Sequence, residues 1–291
     1  MAEAAYSEGE WTSADGLTLR YRDYPGPEDE RAARPPILCI PGLTRNARDF
    51  EPLAAAFAGE WRVICADLRG RGQSDYAKDP ASYMPLQYVA DIQALLEQAH
   101  LDRVVAVGTS LGGIVIALLA LQAPERIAAA VLNDIGPDIE PAGLARIREY
   151  VGQGRSFPTW MHAARGLREQ AGLTHPDFAI GDWLRLAKRL MAVSGSGRIV
   201  FDYDMKIAEP FQQAEGTAPV DMWPAFRALA GRPMLAIRGA LSDILSDTTL
   251  RRMASDLPGL EAVTVPRTGH APTLEEPEAQ AAIARLLAKV A

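Results

Sequence analysis

The chain has 291 residues, 48% of them hydrophobic and 23% charged, with 37 acidic side chains against 30 Lys and Arg. The formal net charge of -7 argues against the basic face that nucleic acid or an anionic membrane would attract. A core of this size is self-sufficient, so neither a metal nor a disulfide is needed to hold it, and no apolar run approaches the length of a bilayer span.

The acidic start, Met1 to Glu8, lacks an apolar segment of the signal-peptide kind, so the expected compartment is the cytosol. Glu10-Trp11-Thr12 and Leu17 to Arg22 alternate around Asp15-Gly16, which predicts a hairpin. A Pro- and Gly-rich loop from Pro25 to Pro36 leads into a buried strand, Ile37 to Ile40. Helical spacing from Asn46 to Phe57 is followed by a strand from Trp61 to Ala66. Cys39 and Cys65 fall inside these apolar runs and read as small buried hydrophobes. Ser82 to His100 predicts an amphipathic helix with Leu86, Val89, Ile92, Leu95 and Leu96 on one stripe.

Val104 to Val107 is the next strand, and it runs into Gly108-Thr109-Ser110-Leu111-Gly112. A G-x-S-x-G turn between strand and helix holds its serine at a strained tip with the hydroxyl pushed clear of the sheet. Glycines are required there because a Cβ would collide with the neighbouring strand or helix. The helix beginning at Leu111 presents free N–H groups to any oxygen the serine attacks. Ile127 to Leu132, Pro233 to Arg238 and Leu260 to Val265 add strands, and helices are expected at Leu250 to Leu257 and Glu275 to Val290. Strand and helix alternation with continuous apolar strands predicts an α/β fold with a mostly parallel sheet covered on both faces.

The alternation breaks between Gly136 and Arg227, a helical stretch holding Trp160, Trp183 and Trp223. Lying between two core strands, it is expected to form a cap over the serine with an aromatic inner face. The expected division is a core of residues 1–135 and 228–291 with an inserted cap at 136–227. Gly195-Ser196-Gly197 lacks the preceding strand of a dinucleotide site and reads as a loop.

A serine nucleophile needs a base. Of the four histidines, His270 lies in Thr268-Gly269-His270-Ala271-Pro272, a loop at the carboxyl end of the last strand. His100 ends a helix and reads as structural, while His162 and His175 fall in the presumed cap without a loop signature. The base in turn needs a carboxylate to fix its tautomer. Asp243, in the loop after the Met234 to Ile237 strand, is the expected acid. Asp134, after the strand preceding the cap, is the alternative, and Asp247 reads as a helix N-terminal acid.

Ser110, Asp243 and His270 follow the nucleophile, acid, base order of the α/β-hydrolase fold. Cys39-Ile40-Pro41-Gly42-Leu43-Thr44 resembles that family's oxyanion loop, Asp67 to Asp75 its D-x-R-G-x-G-x-S segment, and Gly269 to Pro272 with Glu275-Glu276-Pro277 its histidine loop. The chain thus resembles the serine-hydrolase branch of that family with a helical cap. The resemblance implies an eight-stranded, mostly parallel sheet and an oxyanion hole formed by the N–H groups of Leu43 and Leu111. Pro41-Gly42 departs from the His-Gly of many members, and Pro41 has no N–H to give. The Asp67 to Asp75 segment is expected to be scaffolding.

The expectation for function is a cofactor-independent hydrolase of a small ester, lactone or related carbonyl compound, working through an acyl-enzyme. The alternatives are a carbon–carbon bond hydrolase of ring-cleavage products, an enol-lactonase, a haloperoxidase-like activity, or a ligand-binding protein on the same scaffold. Arg45, Trp160, Trp183 and Tyr203 are expected substrate contacts, and Arg48 is a further cation near the oxyanion loop. No metal, cofactor, nucleic-acid or membrane partner is expected. The chain is expected to act as a monomer or homodimer.

Overall fold

A computed structural model describes residues 5–213 and 220–290. The first four residues of the acidic start, and residues 214–219 of the expected cap, lie outside the described residues.

The opening hairpin is β1 (Ser7–Thr12) and β2 (Thr18–Tyr24), after which come β3 (Ile37–Ile40), α1 (Glu51–Phe57) and β4 (Val63–Asp67). The next helix, α2 (Pro85–Gln98), is shorter than its periodicity predicts, because Pro85 fills its first turn and Ala99 leaves the helix. Next come β5 (Val104–Thr109), α3 (Leu111–Gln122) and β6 (Ile127–Asn133). The inserted segment contains α4 (Pro141–Tyr150), β7 (Ser156–Phe157), α5 (Trp160–Ala171), α6 (Ile180–Leu190), β8 (Met191–Val193), β9 (Ile199–Phe201), α7 (Ala208–Gln213) and α8 (Trp223–Arg227). The chain returns through β10 (Met234–Gly239), α9 (Asp247–Asp256), β11 (Leu260–Val265) and α10 (Pro277–Leu287).

Eight strands form one sheet in the order β1-β2-β4-β3-β5-β6-β10-β11. β2 pairs antiparallel with both β1 and β4; from β4 onward the sheet is parallel. The inner strands β3, β4, β5, β6 and β10 are buried on both faces, as continuous apolar runs require. Val104 and Ala106 of β5 face one apolar layer, while Val105 and Val107 face the other. Leu38 and Ile40 of β3 divide from Ile37 and Cys39 in the same way. Cys39 and Cys65 are register partners on adjacent strands, both free and fully buried, and burial pushes the Cys39 thiol up.

The inserted segment is not wholly helical. Its three short strands form a second sheet, β7-β9-β8, and Gly195-Ser196-Gly197 is the turn of the β8–β9 hairpin. Gly197 adopts φ +74° there, and its N–H donates to the Ser194 carbonyl. The segment has an apolar centre of its own, with Ala163, Leu167, Trp183, Leu186 and Ile199 buried together. Ion pairs tie it to the sheet layer: Arg48 to Asp202 at 2.6 Å, and Arg189 to Glu275 at 2.6 Å.

Candidate active site

Ser110 joins β5 to α3 with φ 52° and ψ -115°, a left-handed conformation uncommon for a residue with a Cβ. Its N–H donates to the Asn133 carbonyl at 2.9 Å, and its own carbonyl accepts from the Gly113 N–H at 2.9 Å. A Cβ on Gly108 would strike the Gly112 backbone, and one on Gly112 would strike the Ile40 carbonyl. Both glycines are therefore dictated by close backbone approach, as their spacing predicts.

His270 stands opposite on the loop between β11 and α10, with its Nε2 3.0 Å from the Ser110 Oγ. The loop is held from several sides. The Asn133 side-chain amide donates to the Pro272 carbonyl, the Leu241 N–H donates to the Thr268 carbonyl, and the Gly269 N–H donates to the Thr174 carbonyl of the inserted segment. Gly239 is required beneath it, since a Cβ there would meet the carbonyls of Thr268 and Gly269.

The carboxylate at His270 is that of Asp134, not Asp243. The His270 Nδ1–H donates to Asp134 Oδ2 over 2.7 Å. Asp134 is fully buried and also accepts from the Gly239 N–H at 2.8 Å and from the Ser242 hydroxyl at 2.6 Å. Its geometry follows from topology: β6 is the strand next to β5, so the residue after β6 comes up beside the serine, whereas β10 is one strand further out. Asp134 has φ 56°, which turns the chain out of the sheet at that point. Asp243 makes no hydrogen bond to His270 and is gripped instead by Arg146, whose Nε and Nη2 donate to it at 2.5 and 2.8 Å. Burial pushes the Asp243 carboxyl up, but the hydrogen bonds and charge of Arg146 outweigh this and hold it below the ordinary range.

The N–H groups of Leu43, on the loop after β3, and of Leu111, next to Ser110 in the chain, have no acceptor among the described residues. Leu111 opens α3, where a free N–H is inherent to a helix start. Gly42 lies beside the serine: a Cβ on it would sit in ordinary contact, 3.7 Å from the Ser110 Cβ and 3.5 Å from the Thr109 carbonyl oxygen. From behind, the buried Arg71 donates from Nε to the Leu43 carbonyl at 2.9 Å and from Nη1 to the Arg69 carbonyl at 2.6 Å. Asp67 accepts from the N–H groups of Ala47 (2.6 Å) and Gln73 (3.0 Å), with its carboxyl pushed by burial up to about 6. The Asp67 to Asp75 segment thus braces the loop carrying Leu43.

A cavity of about 270 Å³ opens beside His270, between the inserted segment and the sheet. Arg45, Trp183 and Tyr203 line it, as do Arg146, Tyr150 and His175, which periodicity and motif did not single out. Trp160 does not reach it and packs against the segment's own apolar centre. Arg48 is turned away, onto Asp202 and the carbonyls of Arg189 and Met191. His175 is buried against Phe178 and Trp183. Burial and the charge of Arg45 push its imidazole down to about 4. Among the remaining histidines, His100 sits in the turn after α2 at φ 53°, and His162 lies in the exposed first turn of α5, where its N–H donates to the hydroxyl of the capping Thr159. Among the described residues no group of His, Cys, Asp and Glu has metal-site geometry, and no helix is long and apolar enough to cross a membrane.

The sequence model of the family described as alpha/beta hydrolase fold matches residues 35–277. The chain belongs to the α/β-hydrolase family. This hydrolase is 33% identical over 276 residues to the 3-hydroxybutyrate-oligomer hydrolase of Cupriavidus necator, with 91% of each chain covered. It is 28% identical over 241 residues to the 2-(acetamidomethylene)succinate hydrolase of Mesorhizobium japonicum, covering 83% of each. The crystal structure of an alpha/beta hydrolase from Novosphingobium aromaticivorans superposes on the hydrolase with a TM-score of 0.93, at 62% identity and 100% coverage of both chains.

Proposed function

We propose that this α/β hydrolase cleaves a small carboxylic ester through a covalent acyl-enzyme, with Ser110 as nucleophile, His270 as base and Asp134 as the orienting carboxylate. The reading rests on the unbroken line of hydrogen bonds from Ser110 Oγ through His270 to Asp134, 3.0 and 2.7 Å long. Ser110 Oγ attacks the ester carbonyl carbon as its proton passes to His270 Nε2. The oxyanion accepts from the N–H groups of Leu43 and Leu111, donors of the kind that stabilise the charge developing in the transition state. The carbon–oxygen bond to the alcohol then breaks, and His270 returns its proton to the departing alkoxide. Water adds to the acyl-enzyme by the same route and releases the acid and Ser110.

The inserted segment serves as a cap that shapes the acyl or alcohol pocket. The relative named for 3-hydroxybutyrate oligomers makes esters of short hydroxy acids the first substrates to assay. A fluorophosphonate probe is expected to label the protein at Ser110 and to leave Ser110→Ala unlabelled. An unlabelled wild-type protein that still binds a small ester would instead indicate a ligand-binding protein.

A further inference from the structure

The cavity beside His270 carries more positive charge than a neutral ester needs. Arg45, Arg146 and Arg155 line it against a single carboxylate, Glu149. Arg45 donates to Asp49 at 2.9 Å, outside the lining, and Arg146 is paired with Asp243. Arg155 has no carboxylate partner among the described residues and lies over the ring of Phe157. Tyr150 sits in the fields of both Arg146 and Arg45, and Asp243 in that of His270, so these charges cluster near the reacting atoms.

The pairing of Arg146 is specific. Asp243 takes its Nε–Nη2 edge and leaves Nη1 without a carboxylate, and the guanidinium interacts with Tyr150, which lines the cavity with it. A planar fork fixed along one edge is pre-organised for an oxygen anion at the other, and loses little freedom on binding. The side chain is about one-third exposed, so its field is stronger than in open water.

We propose that the cavity takes a substrate bearing a carboxylate, received by Arg146 with Arg45 and Arg155 while the ester carbonyl lies at Ser110, and that Asp243 is a positioning residue for Arg146. Deeper by one step than the hydrolase reading, it rests on that reading for the placement of the ester. It gives the sequence-expected acid position a different duty: aiming a cation at the substrate. A volume of about 270 Å³ suits a short-chain acid ester.

The test is binding to the full-length Ser110→Ala protein by calorimetry, with monoethyl succinate and diethyl succinate as a matched pair. The monoanion is expected to bind about tenfold tighter or more, with the gap narrowing as salt rises. Arg146→Met is expected to remove most of that gap, Asp243→Asn to reduce it, and Arg146→Lys to restore it in part. Equal binding of the two esters to Ser110→Ala overturns the proposal without any cavity variant, as does a gap that survives in both Arg146→Met and Arg45→Met. Fluorophosphonate labelling of the wild-type protein reads the hydrolase mechanism separately. Labelling without a binding gap sinks this proposal alone, and a binding gap without labelling sinks the hydrolase mechanism alone.

Discussion

Ser242 donates its hydroxyl to the same oxygen of Asp134, Oδ2, that accepts the His270 Nδ1–H, at 2.6 and 2.7 Å. Ser242 and His270 thus fix one carboxylate oxygen from two sides, and the imidazole is aligned on Ser110. Ser242→Ala removes one of the two donors without touching the ring. Turnover is expected to fall about 3- to 10-fold, the worth of one net hydrogen bond, with little change in KM. Steady-state kinetics on a short p-nitrophenyl ester check this, and a KM effect with intact kcat would assign Ser242 to substrate binding.

Arg71 braces the oxyanion loop through the Leu43 carbonyl. A lysine in its place keeps the charge but cannot bond the Leu43 and Arg69 carbonyls from one rigid plane. Arg71→Lys is therefore expected to slow the rate of Ser110 labelling by a fluorophosphonate about tenfold or more, within the range seen when an oxyanion donor is weakened. A labelling rate equal to wild type would show that the loop holds its shape without Arg71.

The elbow glycines answer to backbone, not to side chains that can move aside. Gly112→Ala drives a Cβ into the Ile40 carbonyl. A loss of about 1–3 kcal/mol is expected, seen as a lowered midpoint in urea unfolding at unchanged slope. An unchanged midpoint would mean that β3 shifts freely, against its fully buried position.

His175 makes stability pH-dependent. Its folded pKa of about 4 lies below the ordinary 6.5, so the unfolded chain takes up the proton first as pH falls. The stabilisation is complete above 6.5 and is lost progressively down to about 4, by at most ~3 kcal/mol. Thermal melts at several pH values are expected to show a shallower acid slope for His175→Gln than for wild type. Parallel slopes would mean that the imidazole takes up its proton at the same pH in the folded protein as in the unfolded chain.

Much of this site was legible in the sequence because its logic is local. The elbow needs its glycines within a few residues of Ser110, and the strand-to-helix switch shows in periodicity. The acid was not legible in the same way. Ser110, Asp134, His270 and Ser110, Asp243, His270 share one chain order, so order cannot choose between them. What decides is that β6, not β10, neighbours β5, and that Arg146 of the inserted segment occupies Asp243. Both facts are long-range. Part of the cavity lining, Arg45, Trp183 and Tyr203, was legible, but Tyr150, at the end of α4, and His175, in the loop between α5 and α6, reach it through packing that no short pattern encodes.

The account depends most on which carboxylate serves His270. Its most direct test is kcat on a short neutral p-nitrophenyl ester for Asp134→Asn and Asp243→Asn, each checked for native circular dichroism. Loss of the anion that fixes the imidazole is expected to lower kcat by about 10²–10⁴-fold in Asp134→Asn, and by far less in Asp243→Asn. The reverse ranking, with Asp243→Asn the more damaged, would contradict the assignment of Asp134 as the orienting acid.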